Sequence, residues 1–318
     1  MFSRDVNRAG IVPLALTLAL TLPLASGAWA GDEPFPDWLV RWEPIPQNPL
    51  FRGAGGDSWD ARIRERGWIL REEDGSYKLW YTGYNVERSP SRFLGLATSS
   101  DGRSWVRHPG GPLSAPTWVE DMCVLRHDGR YLMFAEGRDD VAHLLTSEDG
   151  LRWQERGPLD VRLADGRPIP PGPYGTPTVL RKDGLWHLLY ERGDRGVWLA
   201  TSADLKVWTN VQDDPVLALG PEPYDSTAVA MNQVIERDGV YYGIYHANAH
   251  RPWRDWTTCV ARSTDLVHWE KYPGNPIVRN NSSSGIFVDE PGGPVLYTMH
   301  PEVRRYRHPG TGDESDHR

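Results

Sequence analysis

A chain of 318 residues with 43 acidic against 35 basic side chains, net −8 at neutral pH, is long enough to bury one sizeable core. Its acidity argues against nucleic acid as a partner, because a phosphate backbone needs a basic surface. Two cysteines exclude a disulfide-stapled scaffold, and the 15 Trp and 13 Tyr ask for an architecture that uses large rings repeatedly.

Residues 1–30 combine a basic start (Arg4, Arg8), an apolar stretch from Ile11 to Ala25, and Ala28-Trp29-Ala30 before Gly31. This is the three-part pattern of a secretory signal peptide, and it implies a secreted or periplasmic protein with no membrane segment after cleavage. Residues 31–37 read as a linker, and the polar stretch from His308 to Arg318 as a flexible tail.

Between them the chain repeats itself. Asp-Gly pairs at Asp74-Gly75, Asp128-Gly129, Asp183-Gly184 and Asp238-Gly239 recur every 54 to 55 residues, and Pro291-Gly292-Gly293 falls at the next step. Each lies between an apolar and an aromatic run, the signal of a β-hairpin, since a type I′ turn needs positive φ that Gly accepts freely and Asp better than most. A second signature, Ser-x-Asp-(Gly/Leu)-x-x-Trp, follows at Ser99–Trp105, Ser147–Trp153, Ser202–Trp208 and Ser263–Trp269. A third, Trp-x6-Pro, follows Trp105, Trp208 and Trp269, whereas Trp153 reaches Pro158 sooner.

The fifth repeat lacks its terminal Trp and Pro, and a stray copy stands at Trp42/Pro49 near the other end of the chain. A ring explains both. The expected fold is all-β, a five-bladed β-propeller of four-stranded blades over residues 38–307, with the N-terminal strand completing the last blade and removing an open edge. Inner strands are expected to start near residues 66, 121, 176, 231 and 285. Cys123 and Cys259, on different blades, are expected as small buried side chains, and the repeat Trp residues as packing between blades.

In this topology the residues before each inner strand and after each second strand converge on one funnel. Candidate catalytic groups there are Asp60, Glu65, Asp121, Glu136 and Glu191. Candidate substrate-binding groups are Trp59, Arg64, Trp118, Glu120, Tyr174, Arg192, Tyr224, Asp225, His246 and His300. Carboxylates gathered round one axis split their proton affinities, so that one stays protonated beside an ionised partner, as cleavage of a glycosidic bond requires. The plainer alternative is a set of structural ion pairs with Arg62, Arg64, Arg66, Arg138 or Arg192. No spacing demands a metal or cofactor, although His246 and His300 leave room for a structural divalent cation on the axis.

The segments Trp59-Asp60-Ala61-Arg62-Ile63-Arg64-Glu65, Tyr77 to Gly83, Leu94 to Gly102 and Glu120-Asp121-Met122, set in five repeats behind an export signal, resemble the five-bladed propeller glycoside hydrolases of families 43, 32, 68, 117 and 130. The resemblance implies a hydrolase acting on an oligo- or polysaccharide, a monomer, with Asp60 or Glu65 as nucleophile or base and Asp121 orienting the acid. It also implies a proton donor opening the third inner strand. That place reads Gly172-Pro173-Tyr174-Gly175-Thr176-Pro177, without a carboxylate, so Glu191, Glu136 or His300 would have to serve.

A phosphorylase of the same shape would need basic groups beside the acid, for which Arg62, Arg64 and Arg66 are available. A non-catalytic lectin or interaction propeller would repeat its binding residues, whereas Glu65, Asp121, Thr176 and Met231 differ from blade to blade. A sialidase would have one more blade and a longer Asp-box spacing.

Overall fold

Three of the four Asp-Gly hairpins adopt the expected turn: Asp128, Asp183 and Asp238 have φ of 48°, 50° and 53°, each followed by a glycine of positive φ. The first differs. Glu72 and Ser76 close a three-residue loop in which only Gly75 is left-handed (φ 85°), because one more residue separates the strands. Around these turns the computed structural model, which describes residues 34–113 and 118–310, forms five antiparallel sheets. The expected export signal and the end of the expected tail lie outside the described residues.

Blade one comprises Arg62–Arg71, Tyr77–Tyr84, Phe93–Ser99 and Val106–Arg107. Blade two comprises Glu120–His127, Arg130–Glu136, Ala142–Ser147 and Gln154–Pro158. Blade three comprises Gly175–Lys182, Leu185–Glu191, Gly196–Ser202 and Val207–Asn210, and adds Asp160–Arg162 and Leu217–Ala218 as two further short strands. Blade four comprises Ala228–Arg237, Val240–Asn248, Thr257–Ser263 and Glu270–Lys271. Blade five comprises Ile286–Glu290, Gly293–Thr298 and Arg304–Arg307, and its fourth strand is Glu43–Pro44 from the chain's start, paired with Arg307 and Tyr306. The Asn48 side chain extends that pairing, donating to Arg305 O (2.7 Å) and accepting from Arg305 N (2.8 Å).

Each inner strand packs beside the next, and the fifth returns to the first, so the sheets close into a five-bladed propeller. The repeat aromatics fill the seams: Trp80 meets Tyr131 at 5.5 Å and Trp153 at 6.1 Å, and Phe134 meets Trp208 at 6.0 Å. Truncating such a ring costs about 3–5 kcal/mol. The Ser-x-Asp signature is the turn into the outer strand, with Ser99, Ser147, Ser202 and Ser263 each donating to the Asp two residues on while that carboxylate collects backbone N–H groups. Cys123 and Cys259 are buried and unbridged. The linker expected over 31–37 is already structured by its end, since Phe35 lies against Tyr272 at 5.1 Å and Asp37–Val40 is a helical turn with Leu39 buried.

The inner strands of blades one and four begin at Arg62 and Ala228, earlier than expected, and each runs for ten residues. Register breaks fall between Arg64 and Trp68, Glu120 and Cys123, Gly175 and Thr178, and Met231 and Gln233. Within three of them a non-glycine residue has positive φ: Glu65 at 56°, Asp121 at 43° and Thr176 at 43°. Such backbone is costly, above all for a β-branched residue, and bulges of this kind redirect side chains.

Arg66 holds the arrangement. Fully buried, its guanidinium donates to Thr178 Oγ1 (2.7 Å) and to the carbonyls of Met231 (3.0 Å), Asn232 (2.8 Å), Asp121 (2.5 Å) and Pro177 (2.6 Å), tying blade one to blades two, three and four.

Candidate active site

At the bulged ends of the inner strands, four of the five expected carboxyls form one electrostatically coupled group: Glu65, Asp121, Glu136 and Glu191. Asp121 accepts from the backbone N–H of Arg66 (3.1 Å), which fixes it beside the Glu65 bulge. Glu136 crosses from blade two to blade three, where its Oε2 accepts from Thr176 N at 3.0 Å. A methyl group on Gly175 would overlap that oxygen, so Glu136 can hold this position only beside a glycine. Glu191 accepts from Asp194 N at 2.5 Å. A carboxyl therefore does stand at the third blade's bulge, delivered by the second blade.

Their ionisation is divided. Burial pushes Glu65 up, but the charge and hydrogen bond of the Arg64 guanidinium outweigh it and hold the carboxyl below the usual range. Burial and then the Glu65 charge push Asp121 up to about 8 against the pull of Arg66. Glu136 lies well above the ordinary range through burial and the neighbouring Asp121, Asp140 and Glu191. Glu191 is pushed up to about 7, by burial and then, against its bond from Asp194 N, by Asp194 and Asp140. At neutral pH an ionised Glu65 thus stands beside Asp121 and Glu136, which hold their protons, while Glu191 is near its midpoint.

Arg64 contacts Glu65 and lies 3.2 Å from Glu120, which Arg92 approaches at 3.3 Å and Trp118 Nε1 at 2.5 Å. Burial raises Glu120 despite these cations. Arg138 and Arg92 lie over the Trp118 ring at 4.9 and 5.0 Å. Across from them, His246 and His300 flank Glu65. Burial drives His246 down to about 3 and also lowers His300, so both are neutral imidazoles. The His246 tautomer follows from Asn232: its Oδ1 takes the backbone N–H of His246 (3.0 Å), so its Nδ2 faces His246 Nδ1 (3.4 Å) as a donor and the ring proton belongs on Nε2.

Other expected residues are committed elsewhere. Asp60 is buried, accepts from Ser58 Oγ (2.5 Å) and Tyr81 hydroxyl (3.0 Å), and pairs with Arg107 (2.8 Å), which together hold it ionised against the effect of burial. It braces blade one's outer strand and does not join the coupled carboxyls. Trp59 packs on Tyr81 at 6.0 Å and Phe93 at 6.2 Å. Tyr174 donates to Leu159 O, Arg192 to Pro170 O, and Tyr224 meets the Tyr245 hydroxyl at 3.3 Å. Asp225 is a buried partner of Lys271 at 2.6 Å. Residues the sequence did not single out are Asp140 and Asp194 at the edge of the acidic group, and Trp253 and Trp256 on the blade-four loop that follows His246. Among the described residues no three His, Cys, Asp or Glu side chains are placed to hold a metal ion, and no helix is long and apolar enough to cross a membrane.

Fold and site together define a five-bladed propeller whose inner-strand ends bring four carboxyls together. No protein-family model matches the sequence. Two uncharacterized proteins of Mycobacterium tuberculosis, from strains CDC 1551 / Oshkosh and H37Rv, are each 25% identical over 227 residues, 65% of this chain and 74% of theirs. Among solved structures, a glycosyl hydrolase from Bacteroides ovatus superposes with TM-score 0.68 at 16% identity, covering 86% of this chain and 95% of its own. A structure from the GH130 family of mannoside phosphorylases, which contains glycoside hydrolases that target β-1,2 mannosidic linkages in Candida mannan, gives 0.68 at 18% identity, covering 86% and 96%. The β-1,2-mannobiose phosphorylase of Listeria innocua gives 0.62 at 14%, covering 83% and 95%. These likenesses are of fold: the neighbours share the five-bladed propeller.

Proposed function

We propose that this protein is a carbohydrate-active enzyme, a glycoside hydrolase that cleaves an oligo- or polysaccharide by carboxyl acid–base catalysis on the propeller axis. The observation that carries the reading is the gathering of Glu65, Asp121 and Glu136 at the bulged starts of the first three inner strands, with the Arg64 cation on Glu65 alone of the three and burial raising the other two. Glycosidic cleavage needs one carboxylic acid to protonate the leaving oxygen and one carboxylate to deprotonate water or attack the anomeric carbon. Ionised Glu65 suits the second role and protonated Asp121 the first, with Glu136 keeping the surroundings poor in negative charge. Neutral His246 and His300, with Arg64 and Trp118, flank the sugar. Asp60 has no part in this reading.

Hydrolysis is favoured over phosphorolysis by the fate of the three arginines near the acid. Arg64 is engaged by Glu65 and Glu120 and Arg66 is sealed among carbonyls, so two of the three cations expected to hold an incoming phosphate are already taken. The N-terminal pattern supports export, and a glycan is the partner this reading asks for. The test is turnover of a panel that includes β-1,2-mannobiose, yeast mannan, arabino- and xylo-oligosaccharides and aryl glycosides, with and without inorganic phosphate. Release of reducing sugar independent of phosphate is expected. A strict phosphate requirement yielding a sugar phosphate would convert the reading to a phosphorylase, and saturable binding without turnover would convert it to a lectin.

A further inference from the structure

Outside the acidic group, one feature has no role in the fold's core. Trp253 is 42% exposed, the only large aromatic so exposed among the described residues, and it sits on the loop between the second and third strands of blade four. Its ring lies 5.6 Å from Trp256, whose edge-on contact with His246 is 5.0 Å, and the Arg251 guanidinium lies 4.4 Å over it. Glu65 lies within electrostatic reach of His246. A line of rings thus runs from the ionised carboxylate outward to solvent.

The loop is held in place. Buried Asn248 donates to Arg254 O at 2.8 Å and accepts from His250 N at 2.6 Å, and Asn281 of the approach to blade five accepts from Trp256 N at 3.2 Å. Arg251 reaches Thr227 O at 3.4 Å and draws on the carboxylate of Asp194, across on blade three. An exposed indole fixed by buried amides is preorganised to receive a ligand, since little entropy is lost when it does. Its chemistry, an indole with Arg251 over one face and the rest partly open to solvent, fits the C–H groups of a pyranose with the guanidinium to meet hydroxyls at the rim.

We infer that the Arg251–Trp253–Trp256 ledge is a glycan subsite, on which the sugar residue next to the one at Glu65 rests. The inference depends on the carbohydrate reading of the site, and it adds that the substrate is a chain extending over blade four toward solvent. Binding energy gathered there, away from the scissile bond, is available to the chemical step.

The test compares Trp253→Ala and Trp253→Phe with the unaltered protein on aryl monoglycosides and on oligosaccharide ladders beginning at the disaccharide, by kcat/KM and by calorimetric binding. Trp253→Ala is expected to lower kcat/KM on the oligosaccharides by on the order of tenfold and to leave the aryl monoglycosides within about twofold, with Trp253→Phe recovering much of the loss. An equal effect on both substrate types, or none on either, overturns the ledge while leaving the hydrolase reading standing. If no glycan is turned over but oligosaccharides bind and Trp253→Ala weakens that binding, catalysis falls and the ledge stands. Absence of both turnover and binding across the ladders overturns both.

Discussion

Asp121→Asn is the change with the sharpest double consequence. In the folded chain the Asp121 carboxyl is pushed up to about 8 from its ordinary 3.8. Between those values the unfolded chain has released a proton that the folded chain retains, so stability falls as pH rises through that window. At about 1.4 kcal/mol per unit the ceiling on the penalty is roughly 6 kcal/mol, and structural relaxation reduces it to a few. Asparagine keeps an oxygen for the Arg66 N–H and removes the titration. The variant should match the parent at pH 4 and exceed it by on the order of 2 kcal/mol at pH 8, a Tm gain of roughly 5 °C for a domain of this size. If Asp121 gives the proton to the leaving oxygen, turnover should drop by about 10²–10⁴ at the same time. Melts from pH 4 to 8 beside glycan turnover measure both. A variant less stable than the parent at pH 8, or one with unchanged turnover, would refute the reasoning.

Three other substitutions separate catalysis from scaffold. Gly175→Ala drives a methyl into Glu136 Oε2, so activity should fall well beyond the roughly 1–3 kcal/mol that overpacking costs in a thermal melt; normal turnover would show that Glu136 is dispensable. Arg66→Met strands the carbonyls of Asp121, Pro177, Met231 and Asn232, so unfolding should come at least about 3–5 kcal/mol sooner, or the protein should fail to accumulate; near-parental stability would deny Arg66 its role in joining blades. Asp60→Asn should lower Tm by weakening the Arg107 pair while leaving kcat/KM within a few-fold, and a loss of turnover approaching that of Asp121→Asn would restore Asp60 to the chemistry.

The fold was legible because its signals are local and repeated. Asp-Gly turns, Ser-x-Asp turns and a stray Trp42/Pro49 each state backbone geometry within a few residues, and ring closure follows from where the missing strand lies. The axial carboxyls were legible for the same reason, since strand ends are counted from the hairpins. What sequence could not show is which distant residue each carboxyl meets. Asp60 looked like Glu65 until Arg107, on the outer strand of its own blade, claimed it. Asp225 likewise belongs to Lys271. The third blade's start lacked a carboxyl in sequence, yet Glu136 fills the place by crossing between blades, a route signalled only by Gly175 making room. Arg66 read as one more cation and proved to be the hub. Trp253 and Trp256 stood just past His246, and the extra length of that loop was the signal available.

The most direct measurement is a carbon-13 NMR titration of the side-chain carboxyls in the full protein, assigned with Asp121→Asn, Glu136→Gln and Glu65→Gln. At pH 7 the Glu65 resonance should be that of a carboxylate, while Asp121 and Glu136 should show protonated carboxyls, Asp121 titrating near pH 8. Resonances that all titrate below pH 5 would mean that no acid and base stand ready together on the axis, and the catalytic account would fail.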